Sequence, residues 1–432
     1  MRRTLLFACG SLPLAAAVAC ASSERDASPP REDAGSSTLT DAGAKTPEDA
    51  PPGEVPPIPS CSDAGWCPTA LPDPDLVLKD IWPLAESAFA IAESPTLGVR
   101  ILEWEEAAAK WKYIDDNSQN QSGLGDYAGY IWAPSVDEVY FTVASATIEH
   151  GTRPVPPATT WSWERHRLDD HSPDLDAHPD HDHGAVQDPE LGISYPSLGV
   201  WGIGADVYAW YANSIYRRVD GGDGVAAWAL EHTAGDVDDP DEHISFVSAA
   251  GASADEVWFV AVRQRPVSET IVSCPLIVRK TSAGYERIFD GITGDGCSKR
   301  MGLPAIGGAP GAMIDLQALP GNRFAGLKGG HDVVILSQQE TGSYSIAHAA
   351  VLLGLYDRPL YSVYSPSESV VWLSGRGIVV RGEDVWNGGA FGVSTISLNG
   401  GPIDRPMYRI RGTSNTNLWA VGVRHALHKT TP

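Results

Sequence analysis

The chain has 432 residues, with 55 acidic against 31 basic side chains and a formal net charge of −24 at pH 7. So acidic a surface repels nucleic acid and anionic membranes; it favours solubility and would attract cations or basic partners. Hydrophobic residues make up 43% of the chain, enough for a sizeable core. After the first twenty residues no apolar run is long enough to predict a transmembrane helix.

Arg2 and Arg3 open the chain with positive charge, and Leu5 to Val18 follows as an apolar run too short to span a bilayer comfortably. The run ends in Ala17-Val18-Ala19-Cys20. Small residues before a cysteine resemble a lipobox, in which the cysteine receives diacylglycerol before cleavage; Ala17 stands where such sequences usually carry Leu. The expectation is a lipoprotein signal peptide over 1–19 and a lipidated Cys20 as membrane anchor. The competing reading is an ordinary secretory peptide cut at an Ala-x-Ala site. Ala21, rather than a retention-type Asp, points to the outer membrane. Residues 20–60 read as a disordered linker: eight prolines, many small polar residues and no aromatic cannot bury enough apolar surface to offset ordering entropy.

Cys9 would leave with the signal, and four further cysteines remain: Cys61, Cys67, Cys274 and Cys297. An even number in an exported chain suggests disulfides. Three pairings are open, of which Cys61–Cys67 with Cys274–Cys297 is favoured; four free thiols is the alternative. In a chain-entropy model these two loops contribute roughly 2 and 3 kcal/mol.

From Cys61 onward the sequence is rich in Trp, Tyr, Val and Gly. Only AESAFAIAES at 85–94 and EEAAAK at 105–110 look helical. The informative feature is a repeat: an apolar or aromatic opening, a polar turn, then a β-rich run. It begins at Asp80, Tyr130, Gly199, Phe246, Ile314, Ser362 and Tyr408. The copies from Asp80 and Ile314 are degenerate. Several copies continue into a third alternating strand, as in SIYRRVDG at 214–221, LIVRKTSAG at 276–284 and GIVVRGED at 377–384. Such a unit is a β-meander that cannot hide both its faces, and stacking seven of them around an axis does. Propeller blades run ~40–50 residues, so the two long intervals must hold insertions, one near 164–190 and one near 290–313.

The repeats resemble those of secreted, myxobacterial-type propeller lipoproteins, whose units read approximately W-x-x-S-x-x-D-V-W-A-V-G, then G-x-I-x-R-W-D-G. Trp132, Ser135, Asp137, Val139 and Tyr140 fit the first part, as do Asp255, Val257 and Trp258, and Ser414 with Leu418 to Gly422. The opening CSDAGWCPTALP is similar to that family's Cys-containing start. The resemblance covers residues 61–432 and implies an all-β fold, a seven-bladed β-propeller. The unit from Tyr408 ends after three strands. The Trp-bearing segment Gly65 to Pro72 is therefore predicted to supply its fourth, closing the ring by pairing the chain's two ends.

The insertion near 164–190 holds His166, His171, His178, His181 and His183 among aspartates, a donor set that suits a divalent metal such as zinc, nickel or copper. No H-E-x-x-H pattern accompanies it, and a solvated loop is the favoured reading, with His171, His178, His181 and His183 as weak candidate ligands. The acidic loop Asp236 to His243 could offer oxygens to calcium, but lacks the EF-hand glycine and terminal glutamate; loose, solvated acid is the expectation. No nucleophile elbow or Asp-box repeat is present, and no catalytic residue is marked out. The tryptophans at 82, 132, 201, 258, 372 and 419 read as structural strand residues. The expected function is a non-catalytic binding scaffold of the cell envelope with a protein or carbohydrate partner, no resident cofactor and no nucleic acid. A carbohydrate-active hydrolase, needing two acids about 5–10 Å apart in a funnel, is the alternative.

Overall fold

The computed structural model describes residues 61–432, apart from 121–127, 144–145, 170–184, 189–192, 223–224, 269, 353, 355–357 and 399–400. No helix among the described residues is long and apolar enough to cross a membrane. Seven antiparallel sheets of four or five strands follow one another along the chain, with two-stranded ribbons, Ala185–Asp188 with Ile193–Pro196 and Ser397–Leu398 with Gly401–Pro402, between the second and third sheets and between the sixth and seventh. Blade 1 comprises Val77–Pro83, Ser87–Ser94, Gly98–Glu105 and Lys110–Tyr113; blade 2 comprises Ala128–Ser135, Glu138–Val143, Thr147–Thr152 and Ser162–Arg167. Blade 3 holds Leu198–Ile203, Asp206–Tyr211, Ser214–Asp220 and Ala226–Thr233. Blade 4 holds His243–Ser253, Glu256–Val267, Thr270–Thr281, Gly284–Thr293 and a fifth strand, Cys297–Lys299. Blade 5 runs through Met313–Leu319, Arg323–Lys328, Asp332–Gln338 and Tyr344–Ala350, and blade 6 through Leu360–Ser367, Val370–Gly375, Ile378–Glu383 and Phe391–Ser394. Blade 7 holds Met407–Ser414, Asn417–Gly422, His425–Lys429 and, from the other end of the chain, Trp66–Pro68.

Each blade's first strand packs against the first strand of the next, and blade 7 returns to blade 1. The molecule is a seven-bladed β-propeller. Closure runs through Trp66 opposite Lys429, Cys67 opposite His428 and Pro68 opposite Leu427. Trp66 is fully buried, its Nε1 donates to Ser394 Oγ at 2.9 Å, and its ring meets Trp372 edge-on at 5.8 Å. The closing strand is thus packed as well as paired, and the chain ends leave no open edge between them.

The structure gives the repeat signature a physical content. On the second strand of blades 2, 4 and 7 a polar residue sits two positions before an aromatic, as in Glu138 and Tyr140, Glu256 and Trp258, Asn417 and Trp419. Opposite that aromatic on the third strand stands His150, Arg279 or His428. Glu256 accepts from Trp258 Nε1 at 2.6 Å and from Arg279; Asn417 Oδ1 accepts from Trp419 Nε1 and pairs with His428 Nε2, both at 3.2 Å. His428 stacks on Trp419 at 3.9 Å and His150 on Tyr140 at 4.3 Å. Each triad ties a cross-strand pair, aromatic on both sides in blades 2 and 7 and Trp–Arg in blade 4, to a polar anchor, the kind of contact that stabilises a sheet. The anchors Glu138 and Glu256 are the residues after the aspartates of the sequence motif; Asp137 and Asp255 lie in the turns.

Two sequence readings need correction. The segment 85–94 is not helical: Ser87–Ser94 is a strand, paired on both edges, with Ala88 to Ala92 all buried. Alanines there let neighbouring blades approach, so tertiary packing overrides their helix propensity. EEAAAK supplies only a single 3-10 turn, Glu106–Ala108. In addition, Glu164 to Arg167, read as the start of the His/Asp-rich insertion, forms part of blade 2's outermost strand, where His166 faces Ile148.

Candidate functional site

The first strands converge on the propeller axis, and their polar residues meet there. Asp315 of blade 5 accepts two hydrogen bonds from Arg411 of blade 7, at 2.8 and 3.0 Å, and one each from Ser362 Oγ and the Val363 amide of blade 6. Arg409 lies between Asp80, at 3.5 Å, and Asp315, at 3.6 Å, with its guanidinium 4.4 Å from the centre of the Tyr130 ring. Asp80 Oδ2 accepts from the Ile131 amide, and the Tyr130 hydroxyl donates to the Val247 carbonyl of blade 4. Burial pushes the Asp80 carboxyl up, against the opposing pull of Arg409 and Arg411. Burial acts on Asp315 likewise, but the Arg411 and Arg409 charges outweigh it and hold that carboxyl below its usual range. Two carboxylates and two guanidiniums make the plug; the arginines offset the cost of desolvation at Asp315 but not at Asp80, which Arg409 approaches only at 3.5 Å.

Above this plug the strand ends open into a funnel of about 250 Å³. Its walls include Trp82, Trp201, Trp210 and Gln317, and its floor includes Asp80, Tyr130 and Arg411. Trp82 and Trp201 are half-buried, each with part of its surface open to solvent. Glycines of the neighbouring blade make room for inner-strand tryptophans: a Cβ on Gly251 would sit 2.5 Å from the Trp201 ring, and one on Gly202 would sit 2.6 Å from Trp132. Two polar atoms in the wall, Gln317 Oε1 and Trp210 Nε1, are buried without a hydrogen-bond partner. Asp80 Oδ1 in the floor also lacks a hydrogen-bond partner, so the funnel combines aromatic faces with two spare acceptors and one spare donor. Sequence reasoning places Trp82 and Trp201 on strands, as they are, and leaves open whether such aromatics also line a binding surface; these two do line an opening. The signal was their place at the end of the first strand of their blades.

The sulfurs of Cys61 and Cys67 lie at bonding distance, as do those of Cys274 and Cys297, with Cα separations of 4.1 and 5.4 Å. Neither bridge touches the funnel. Cys20, His171, His178, His181 and His183 lie outside the described residues. No group of three or more metal-competent side chains occurs among the described residues. His166 lies 3.8 Å from Glu164, and burial lowers its pKa.

The acidic loop is not loose. Asp236 pairs with Arg287, Asp238 with Arg300, and Asp239 with Arg265 at 2.9 Å. Glu242 meets Arg263 at 2.7 Å, and that guanidinium, fully buried, also forms a two-pronged bond with Asp290 at 3.0 and 3.1 Å. These carboxylates serve arginines of blade 4 rather than a cation. The arginines are spread over 263–300, so nothing local in the loop announced them.

No protein-family model matches the chain, and no curated protein matches it. Solved propellers do. The structure of YCF48 bound to D1 peptide is similar over 88% of this chain and all of that one, at 12% identity and a TM-score of 0.53. U3-55K aligns over 86% of this chain at 9% identity and TM-score 0.49, and the β-propeller domain of Myceliophteria thermophila Cps50 (Swd1) over 83% at 9% and 0.46. Identities this low speak to fold alone.

Proposed function

We propose that this chain is an exported lipoprotein, tethered to the outer membrane through Cys20, whose propeller binds a partner without transforming it. The observation that carries the binding reading is the funnel, where two half-open tryptophans stand beside the unpaired Gln317 Oε1, Asp80 Oδ1 and Trp210 Nε1. Aromatic surface with a few convergent polar groups is what a binding site needs. The hydrolase alternative needs a second carboxylate, and Asp80, already facing Arg409, is the one acid among the described lining residues. The partner best suited is a protein, which can present an apolar side chain to the tryptophans and a backbone amide to Gln317. YCF48, the similar structure with a peptide bound, illustrates that a propeller of this general shape can serve so.

The test is crosslinking in intact cells, with wild type compared against the Trp82→Ala/Trp201→Ala double variant. Loss of a specific crosslinked protein from the variant, at unchanged melting temperature, supports the reading; an identical crosslinking pattern removes it. The anchor is tested separately. Cys20→Ser should abolish lipid labelling and release the protein from membranes, and a variant that stays bound after high-salt washing overturns the anchor.

A further inference from the structure

Blade 4 contains a fork in its ladder. The third strand, Thr270–Thr281, pairs along its whole length with Glu256–Val267. On its other edge only Leu276 to Thr281 are paired, with Gly284–Asp290. The fourth strand then leaves, and its last residues, Gly291 to Thr293, pair instead with Cys297–Lys299. The Cys274–Cys297 bridge crosses the fourth strand at this point. A Cβ on Gly291 would lie 2.5 Å from Cys297 Sγ and 2.9 Å from Cys274 Cβ, so the crossing requires glycine there. Beyond the fork the edge of Thr270 to Ser273 has no partner strand among the described residues.

That edge is not empty surface. It forms one wall of a cleft of about 570 Å³ between blades 4 and 5. Phe289 and Ile306 lie at its base, both buried. The opposite wall is the glycine-rich loop 305–311, which brings bare backbone to the cleft. Blade 5 fixes this loop: the Ala309 amide donates to Asp332 Oδ2 at 2.5 Å and its carbonyl accepts from Lys328 Nζ. The volume suits a short stretch of chain rather than a second folded copy.

The chemistry of the edge selects the ligand. The hairpin turn has two residues between Val267 and Thr270, which makes that pair mutually bonded. Alternation then turns the amides and carbonyls of Ile271 and Ser273 away from the second strand, into the open side. Natural edges are normally blunted by charge, proline or a covering element; Pro275 closes this edge at the fork, but Thr270 to Cys274 carries neither charge nor proline. We infer that this cleft takes an extended polypeptide strand, which pairs with the backbone of Ile271 and Ser273 and places an apolar side chain over Phe289 and Ile306. The site lies apart from the funnel and does not depend on it.

The probe is a pool of heptapeptides randomised over Val, Ile, Thr and Lys, passed over the immobilised mature chain and over an Ile271→Pro/Ser273→Pro variant. Proline at these positions removes the outward amides and spares the bonds to the second strand. The expected result is at least tenfold better retention on the unmodified chain, from the loss of about two backbone hydrogen bonds. Retained peptides should slow hydrogen exchange at Ile271 and Ser273, and their backbone N-methylated counterparts should be lost. The Trp82→Ala/Trp201→Ala variant should retain them as wild type does. Equal retention on both chains, no protection at 271 and 273, or equal binding of N-methylated peptides overturns the inference. The N-methyl comparison uses only the unmodified chain, so it decides the matter even where the double proline variant folds poorly.

Discussion

Blade 7 and blade 4 solve the same problem by opposite means. Blade 7 lacks a fourth strand of its own and borrows Trp66–Pro68 from the other end of the chain, sealing it with a fully buried tryptophan. Blade 4 has a strand to spare and long hairpins, and it is held by a buried arginine cluster and a disulfide. Hydrophobic closure at the seam makes stability a property of the whole ring. Charge and covalent closure in blade 4 make stability local and leave one edge of its ladder open. A propeller can therefore afford an irregular blade provided its seam is regular.

The strongest way to break the comparison is at the seam. Deleting 61–72 should cost more than about 5 kcal/mol, because it removes a buried Trp, itself worth ~3–5, and bares the edge of His425–Lys429. Deleting 21–60 should change stability by less than about 0.5 kcal/mol, in keeping with a surface change that touches none of the usual destabilising mechanisms. Urea denaturation of the two truncations compares them directly; equal effects would show that the seam does not close the ring.

Next comes Arg263→Met. It leaves Glu242 and Asp290 buried with less compensation, and about 3–5 kcal/mol should be lost. Hydrogen exchange should show the loosening concentrated in blade 4, whereas seam variants should loosen every blade. Uniform loosening would contradict the local character assigned to blade 4. Smaller still is Cys274→Ser/Cys297→Ser, expected to cost about 3 kcal/mol in a loop-entropy account. Its exchange pattern should centre on 291–299.

The seam also carries a pH dependence, comparable in size to the disulfide's effect and present only on acidification. Burial lowers the pKa of His428 to about 4 from its ordinary 6.5, while Glu106 opposes the shift. On acidification the unfolded chain takes up this proton first. The stabilisation is complete above about pH 6.5, is lost as pH falls toward 4, and changes no further below that. His428→Phe keeps an aromatic on Trp419 and removes the proton site. Its melting temperature should fall less than that of wild type between pH 6.5 and 4, and parallel curves would exclude this residue as a source of acid sensitivity.

Strand order and blade number were legible because they rest on local signals. Polar turns between Val- and Trp-rich runs mark hairpins, and a missing last strand at Tyr408 matched a spare Trp segment at Gly65. The failures were local patterns that packing overrode. Ala88, Ala90 and Ala92 look helical in isolation and are strand because blade 7 covers their face while blade 2 covers Phe89 and Ile91 on the other. The candidate site was hardly legible: Trp82 and Trp201 belong to blades 1 and 3, and Gln317 to blade 5, with nothing in the spacing to join them.

What the sequence determined by itself was the period, the number of units and the way the two ends meet, since each follows from alternation and turn chemistry within a few residues. What the tertiary structure alone decided was which polar groups find each other. Asp315 and Arg411 lie 96 positions apart, and the acids of 236–242 find arginines as far as 62 positions away. Those pairings depend on the radial stacking of blades and on strand register, which bring side chains from distant turns of the chain to one axis or one cleft. Pairing there joins acids to arginines in the plug and the acidic loop, and the groups it leaves over, at Gln317, Trp210, Ile271 and Ser273, are the ones on which the two proposed binding sites rest.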